Sequence, residues 1–167
     1  METETTQSAR ARRVARQVGP VLVALQFGLL AVLGLLAMQG LMRRPLSGLA
    51  FAAVAAGLAL GLWALAVNRP GNFNIRPLPL EGGRLILGGP YRWVRHPMYS
   101  ALLLCGLGAV MMASRLGLAL ATLGLLYAVL RVKAGVEERA MAESHPGYAD
   151  YARQVGRFAP RWVKSKD

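Results

Sequence analysis

An arginine, a histidine and a tyrosine fall within five residues in Arg95-His96-Pro97-Met98-Tyr99, where a basic loop runs into an apolar stretch. Pro97 suits the first turn of a helix and keeps the residue before it out of helical geometry, so His96 stands at the helix entry and Tyr99 within the first turn. Backbone N–H groups at such an entry favour an anion such as a carboxylate, and Arg95 lies beside them. His96 can donate or accept one hydrogen bond to a bound cofactor without being charged. Glu137-Glu138 is the complementary feature, two of only eight acidic residues. The pair can neutralise an ammonium or a sulfonium, or accept hydrogen bonds from ribose hydroxyls. A competing reading is an ordinary surface pair between Glu137 and Lys133 four residues earlier, in the less favourable orientation for such a pair.

This inventory limits the chemistry. No Ser-His-Asp or Cys-His pair is available for a covalent mechanism. Cys105 is the one cysteine, so neither an intrachain disulfide nor a cysteine metal cluster can form, and a small apolar packing role suits it. His96 and His145 are far apart and outside any dense ligand pattern, so no metal is expected. Methyl transfer is one chemistry compatible with this inventory: it needs a nucleophile held in line with the methyl and a positive centre that loses its charge, so positioning can supply much of the catalysis. A carboxylate acceptor needs no strong base, whereas an amine must first lose a proton.

The elements that must position these residues read as membrane helices. The chain has 167 residues, 54% of them hydrophobic, with a mean hydropathy of +0.37. No charge falls between Val18 and Met42 or between Leu46 and Val67, and each run reaches the roughly 20 residues that cross about 30 Å of hydrocarbon. Two shorter apolar runs, Met98 to Ser114 and Leu116 to Leu130, are separated by Arg115; each is near the lower limit for a span, so they read either as one tight membrane hairpin or as two helices extended by their flanking residues. Their neighbours are too apolar all round for helices of a soluble core. The first run outlasts a signal-peptide core and lacks a clear cleavage site, so it is expected to remain in the mature protein.

Charge sets the expected orientation. Arg10, Arg12, Arg13 and Arg16 precede the first span; Arg69, Arg76, Arg84, Arg92 and Arg95 lie between the second and third; eight Lys or Arg residues lie from Arg131 onward. Arg43, Arg44 and Arg115 occupy the opposite loops. The positive-inside rule then gives four spans with both termini cytoplasmic. The net charge of +12 is spread over loops and tails on one side, with no zinc-finger or helix-turn-helix pattern, so anionic lipid headgroups rather than nucleic acid are the expected partner.

Residues 1–17 read as a frayed or interfacial helix start. Gly57 and Gly61 form a Gly-x-x-x-Gly pair that permits close helix approach, as do Gly106 and Gly108. From Asn68 to Pro97 prolines and glycine pairs interrupt helix, and Asn68, Asn72, Asn74 and Arg76 can line a headgroup pocket, the competing reading being that loop asparagines cap turns through their own side chains. Beyond the fourth span the helix is predicted to continue through Glu137-Glu138 until Pro146-Gly147 stops it. Tyr148, Tyr151 and Phe158 then lie among basic residues, as in a tail at the interface folding back over the loop.

Two blocks carry a resemblance. Gly-Gly-Pro-Tyr-Arg-Trp-Val-Arg-His-Pro-Met-Tyr, ending at Tyr99, and the stretch from Glu137-Glu138 through Tyr148-x-x-Tyr151 to Val155-Gly-Arg157-Phe158-Ala-Pro160 resemble the integral-membrane methyltransferases that include isoprenylcysteine carboxyl methyltransferase and the phospholipid N-methyltransferases. The resemblance covers roughly Pro77 to Pro160. It implies an S-adenosylmethionine pocket on the cytoplasmic side, closed by the C-terminal segment, with a lateral opening for a lipophilic substrate. It further implies that His96, Tyr99, Glu137 and Glu138 are cofactor-binding, that Arg95 lies near the cofactor carboxylate, and that Arg157 stands near the substrate or cofactor entrance. Ala101 departs from the glycine of the family pattern, and Gln154 from a frequent arginine; the second weakens any inference of a carboxylate substrate.

The expectation is therefore one all-α polytopic membrane domain over residues 1–167, with spans at about 18–42, 46–67, 97–114 and 116–132, in an inner or cytoplasmic membrane. It is read as an S-adenosylmethionine-dependent methyltransferase acting on a lipophilic or lipid substrate. Arg95, His96, Tyr99, Glu137 and Glu138 are assigned to the cofactor, Asn74, Arg76 and Arg157 to the substrate, and Arg157 and Glu138 to positioning. The alternatives are a membrane reductase using a nicotinamide cofactor and a non-enzymatic small membrane protein.

Overall fold

A computed structural model describes residues 2–43, 47–68 and 85–161, with the backbone alone for 2–17. Most of the loop after Asn68, with Asn72, Asn74 and Arg76, lies outside the described residues. The order is α1 (Glu2–Leu41), α2 (Gly48–Asn68), a 3₁₀ turn (Gly89–Arg92), α3 (Pro97–Met112), α4 (Leu116–Ser144) and α5 (Tyr148–Gln154). Among the described residues no strand forms, and one isolated parallel bridge pairs Val94 with Gly156.

Three helical segments are long and apolar enough to cross a membrane: Val18–Leu41, Gly48–Asn68 and Leu116–Ser144. The expectation of four is met only in part. α3 is apolar but has 16 residues, about 24 Å of helix against the roughly 30 Å of a hydrocarbon core. At its far end Ala113 is already extended, which turns the chain into α4. The basic start of the chain is continuous with the first span: α1 runs 40 residues through Pro20.

Side chains facing outward are apolar along these helices, among them Leu25, Leu35, Leu58, Leu62, Leu118 and Leu125. A soluble helix would carry polar residues on that face; lipid is the solvent that suits these. Inside, small residues set the contacts. A Cβ on Gly57 would stand 2.5 Å from Cys105 Sγ and 2.9 Å from Ala101 O, and one on Gly108 would stand 2.8 Å from Ala50 O. α2 and α3 therefore run antiparallel with backbones in near contact, as small residues allow in membranes. Leu33 and Leu36 of α1 pack with Val110, Leu126 and Leu130 into the core, and Ser114 N–H donates to Leu36 O at 3.4 Å. The start of α3, the second half of α4 and the final segment meet at one end of this bundle.

Candidate active site

The approach to α3 is shaped by its backbone. Gly89 has φ +56°, and a Cβ there would press on Val67, so glycine is demanded twice over. Pro90 opens the 3₁₀ turn, which seats Trp93 edge-on against Trp63 at 5.6 Å. Beyond it the chain is extended and takes the final segment as a partner: Arg95 N–H donates to Gly156 O at 2.8 Å and His96 N–H to Arg157 O at 3.1 Å. His96 is non-helical, with φ −124° and ψ 65°, and Pro97 begins α3 behind it, as a residue preceding proline should. The N–H groups of Tyr99 and Ser100 donate to His96 O at 3.0 and 3.1 Å, so these two are spent within the helix rather than offered to an anion. Ser100 Oγ donates to Phe158 O at 2.7 Å.

Glu138 gathers the cations. Its Oε1 accepts from Arg95 Nε at 3.0 Å, His96 Nε2 at 3.1 Å and Arg157 Nε at 3.0 Å, while Arg157 Nη2 reaches Oε2 at 2.5 Å. One carboxylate thus ties the loop, α4 and the final segment together. Arg95 is largely engaged within the protein, because its Nη1 also donates to the carbonyls of Ala152 and Val155. Glu137 accepts from the Tyr99 hydroxyl and lies 3.3 Å from His96 Nδ1. It is the more open carboxylate, with 22% of its side chain exposed against 14% for Glu138.

Both ring nitrogens of His96 face a carboxylate, in place of the single cofactor bond of a neutral ring. Burial opposes its charging, but hydrogen bonds and charge from Glu137 and Glu138 outweigh that penalty and hold its pKa above the ordinary histidine value. An imidazolium donating from both nitrogens fits this geometry. Its ring stacks on Tyr99 at 5.4 Å and 7°, and Phe158 sits edge-on to His96, Tyr99 and Tyr127 at 6.1, 6.2 and 5.9 Å. Tyr151 braces the same wall by donating to Tyr91 O at 2.7 Å.

All six described candidates, Arg95, His96, Tyr99, Glu137, Glu138 and Arg157, are thereby brought to one place. The surface-pair reading of Glu137 does not hold: Lys133 is 1% exposed and its Nζ donates to Gln26 Oε1 on α1 at 2.6 Å. Gln26 and the inward role of Lys133 escaped the sequence reading. The signal available was a lone amide and a lone lysine in otherwise apolar helix. Ala101, where the family pattern has glycine, faces α2, with its methyl 3.5 Å from where a Cβ on Gly61 would stand; the departure is absorbed by helix packing.

Comparison with known proteins places these residues in a family. The sequence profile described as phospholipid methyltransferase matches residues 47–146, a region holding every candidate above except Arg157. The cobalt-zinc-cadmium resistance protein CzcN of Cupriavidus metallidurans (strain ATCC 43123 / DSM 2839 / NBRC 102507 / CH34) is 41% identical over 85 residues, covering 48% of this chain and 38% of that protein. This chain thus spans well under half of that relative's length. No solved structure matches.

Proposed function

The chain belongs to the phospholipid methyltransferase family, and from that premise we propose that it transfers a methyl group from S-adenosylmethionine to a lipophilic acceptor in the membrane. The observation that carries this reading is the convergence of His96 and Tyr99 on Glu137 beside the Arg95–Glu138–Arg157 cluster, at one end of an apolar bundle. These residues suit the cofactor. Glu137 keeps acceptor capacity for hydroxyls or an ammonium, and Phe158 and Tyr127 offer aromatic faces to a flat base. S-adenosylmethionine supplies the electrophilic methyl. The chain supplies position: Glu137 with His96 and Tyr99 grips the polar groups, while Glu138, held by both arginines, keeps the loop and final segment closed around them. Arg95 serves here by positioning, since most of its donors are committed within the protein, and Arg157 stands between that clamp and the entrance. Asn74 and Arg76, outside the described residues, are proposed to contact the acceptor's headgroup. A metal-handling role, raised by the relative's name, finds no group of three or more potential ligands among the described residues.

Titration of the purified protein in detergent or nanodiscs is expected to give saturable micromolar binding of S-adenosylmethionine and of its demethylated product. Saturable NADPH binding without either would overturn the reading and favour a membrane reductase.

The proposed topology adds α3 as a fourth crossing, made short by tight packing on α2, with both termini and the site cytoplasmic. In a Cys105→Ala background, Arg44→Cys should react with an impermeant thiol reagent in intact cells, whereas Glu2→Cys, Gly83→Cys and Ser165→Cys should not. Labelling at position 83 with protection at position 44 would invert the arrangement.

A further inference from the structure

His96 and Glu137 meet in a way that the clamp around Glu138 does not need. Arg95 and Arg157 both pair with Glu138, and His96 Nε2 joins them at 3.1 Å. The other ring nitrogen, Nδ1, stands 3.3 Å from Glu137 Oε2 and is hydrogen-bonded to that carboxylate, which also accepts from the Tyr99 hydroxyl. Ionised carboxylates only accept, so each ring contact requires a proton on its nitrogen, and a neutral imidazole carries one. The contact with Glu137 therefore lasts only while His96 is charged. Its proton sits on the carboxylate proposed for the cofactor, at the open side of the cluster, where 22% of the Glu137 side chain is exposed.

Charge balance decides what gives way when a further cation arrives. Arg95, Arg157, His96 and Lys133 already surround the two carboxylates; Lys133 Nζ lies 5.1 Å from the centre of the Tyr99 ring and feels the charge of Glu137. Of these cations, histidine has its ordinary pKa nearest neutrality. Burial already opposes the charge on His96, and Glu137 and Glu138 together sustain it. A positive group that engages Glu137 takes away part of that support. The neighbouring phenols do not compete for the role, because burial with Glu137 pushes Tyr91 up and burial with Glu138 pushes Tyr148 up. Stripped of its Nδ1 proton, the neutral ring still donates from Nε2 to Glu138, and the clamp persists. Nδ1 and Oε2 are then two acceptors side by side, an arrangement that suits an N–H donor serving both.

We propose that the proton on His96 Nδ1 is a place-holder, expelled when a primary ammonium takes its position on Glu137. This rests on the methyltransferase reading and deepens it, the ammonium being that of the cofactor's amino-acid portion. The Nδ1–H bond breaks with its electron pair left on the ring, the proton leaves to solvent, and the ammonium keeps its own three protons. Binding releases a proton, so raising the pH favours it. Affinity climbs by up to about tenfold per pH unit below the pKa of His96 in the free protein and levels off above it.

The test is calorimetric titration of S-adenosylhomocysteine into the full chain in nanodiscs between about pH 5.5 and 7, where an α-amino group stays largely protonated. Each pH is run in two buffers with different heats of protonation, which counts the protons exchanged. At about pH 6.5, the ordinary histidine value, more than roughly half a proton per ligand should leave. Carbon-13 in the imidazoles follows the ring directly. The chain has two histidines, so His145→Gln identifies the signal of His96, which should pass from charged to neutral on binding. His96→Asn should bind more weakly and release no proton, and Glu137→Gln should lower the titration midpoint of His96 in the free protein. Should His96→Asn fail to fold, the wild-type imidazole signal decides. Binding without proton release, a proton taken up, a His96 signal that stays charged in the complex, an unmoved midpoint in Glu137→Gln, or release that persists in His96→Asn would overturn the exchange alone. Absence of S-adenosylhomocysteine binding at every pH would take down the methyltransferase reading and the exchange with it.

Discussion

Glu138→Ala should lower cofactor affinity about a hundredfold and cost roughly 2–3 kcal/mol of stability, the largest effect of any single substitution in the site. Removing one partner of a buried pair typically costs about 3–5 kcal/mol, because the other charge is left desolvated. Here that figure is discounted, since Arg157 is 29% exposed and water reaches it. Three groups lose their acceptor at once: Arg95, His96 and Arg157. They repel one another, and the loop and final segment part from α4. Glu138→Gln keeps the shape and one acceptor oxygen, and should fall between wild type and alanine. Glu137→Ala separates the two roles, because it leaves the clamp in place: cofactor affinity should drop while thermal stability changes little. His96→Ala and Glu138→Ala should combine to less than the sum of their separate effects, since both act through one network. Thermal denaturation and cofactor titration on these variants read the two quantities. An unchanged melting temperature in Glu138→Ala would show that the cluster is a solvated contact rather than a clamp.

The sequence announced much of this site but not its wiring. Uncharged runs of membrane length made α1 and α2 legible, and Pro146-Gly147 made the end of α4 legible, since the residue before proline leaves helical geometry: α4 stops at Ser144. α3 was harder. Its apolar run continues through Ala113 and Ser114 without a breaking residue, and tertiary contact decides where it ends: the Ser114 bond to Leu36 O on α1. The motif residues were legible by type, and they do meet. Which carboxylate takes which cation was not, because Glu137 and Glu138 are adjacent and differ only in the direction a helix gives them, some 100° apart for a 3.6-residue turn. Arg95 has the type of a residue that meets a cofactor carboxylate, yet its donors reach Glu138, Ala152 and Val155. The Lys133–Gln26 contact joins residues 107 apart. It depends on how α1 registers against α4, and nothing in local pattern or spacing encodes that.

A chain stopped after Gln154 should insert and keep its helical signal yet bind the cofactor about a thousandfold more weakly. The final segment adds Phe158 to the core, but α2 packs on α3 and α1 on α4 directly, so the helices should survive its loss. What it does contribute lies at the site: the carbonyls of Gly156 and Arg157 that receive Arg95 and His96, the carbonyl of Phe158 that receives Ser100, the guanidinium that completes the Glu138 cluster, and the Phe158 ring against His96 and Tyr99. Losses of about 0.5–1.5 kcal/mol for a neutral hydrogen bond and more for a charged one sum to roughly 4 kcal/mol, which is three decades of affinity. Arg157→Lys isolates one part of this, since a point charge cannot make the two-pronged contact of a guanidinium; it should lose about tenfold. Phe158→Ala should lose a similar factor through its ring contacts. Circular dichroism in nanodiscs and cofactor titration on the stopped chain and the two point variants make the comparison. Wild-type affinity in the stopped chain would show that the segment rests on the site without closing it, and Glu137, His96 and Tyr99 would then have to hold the cofactor with the bundle alone.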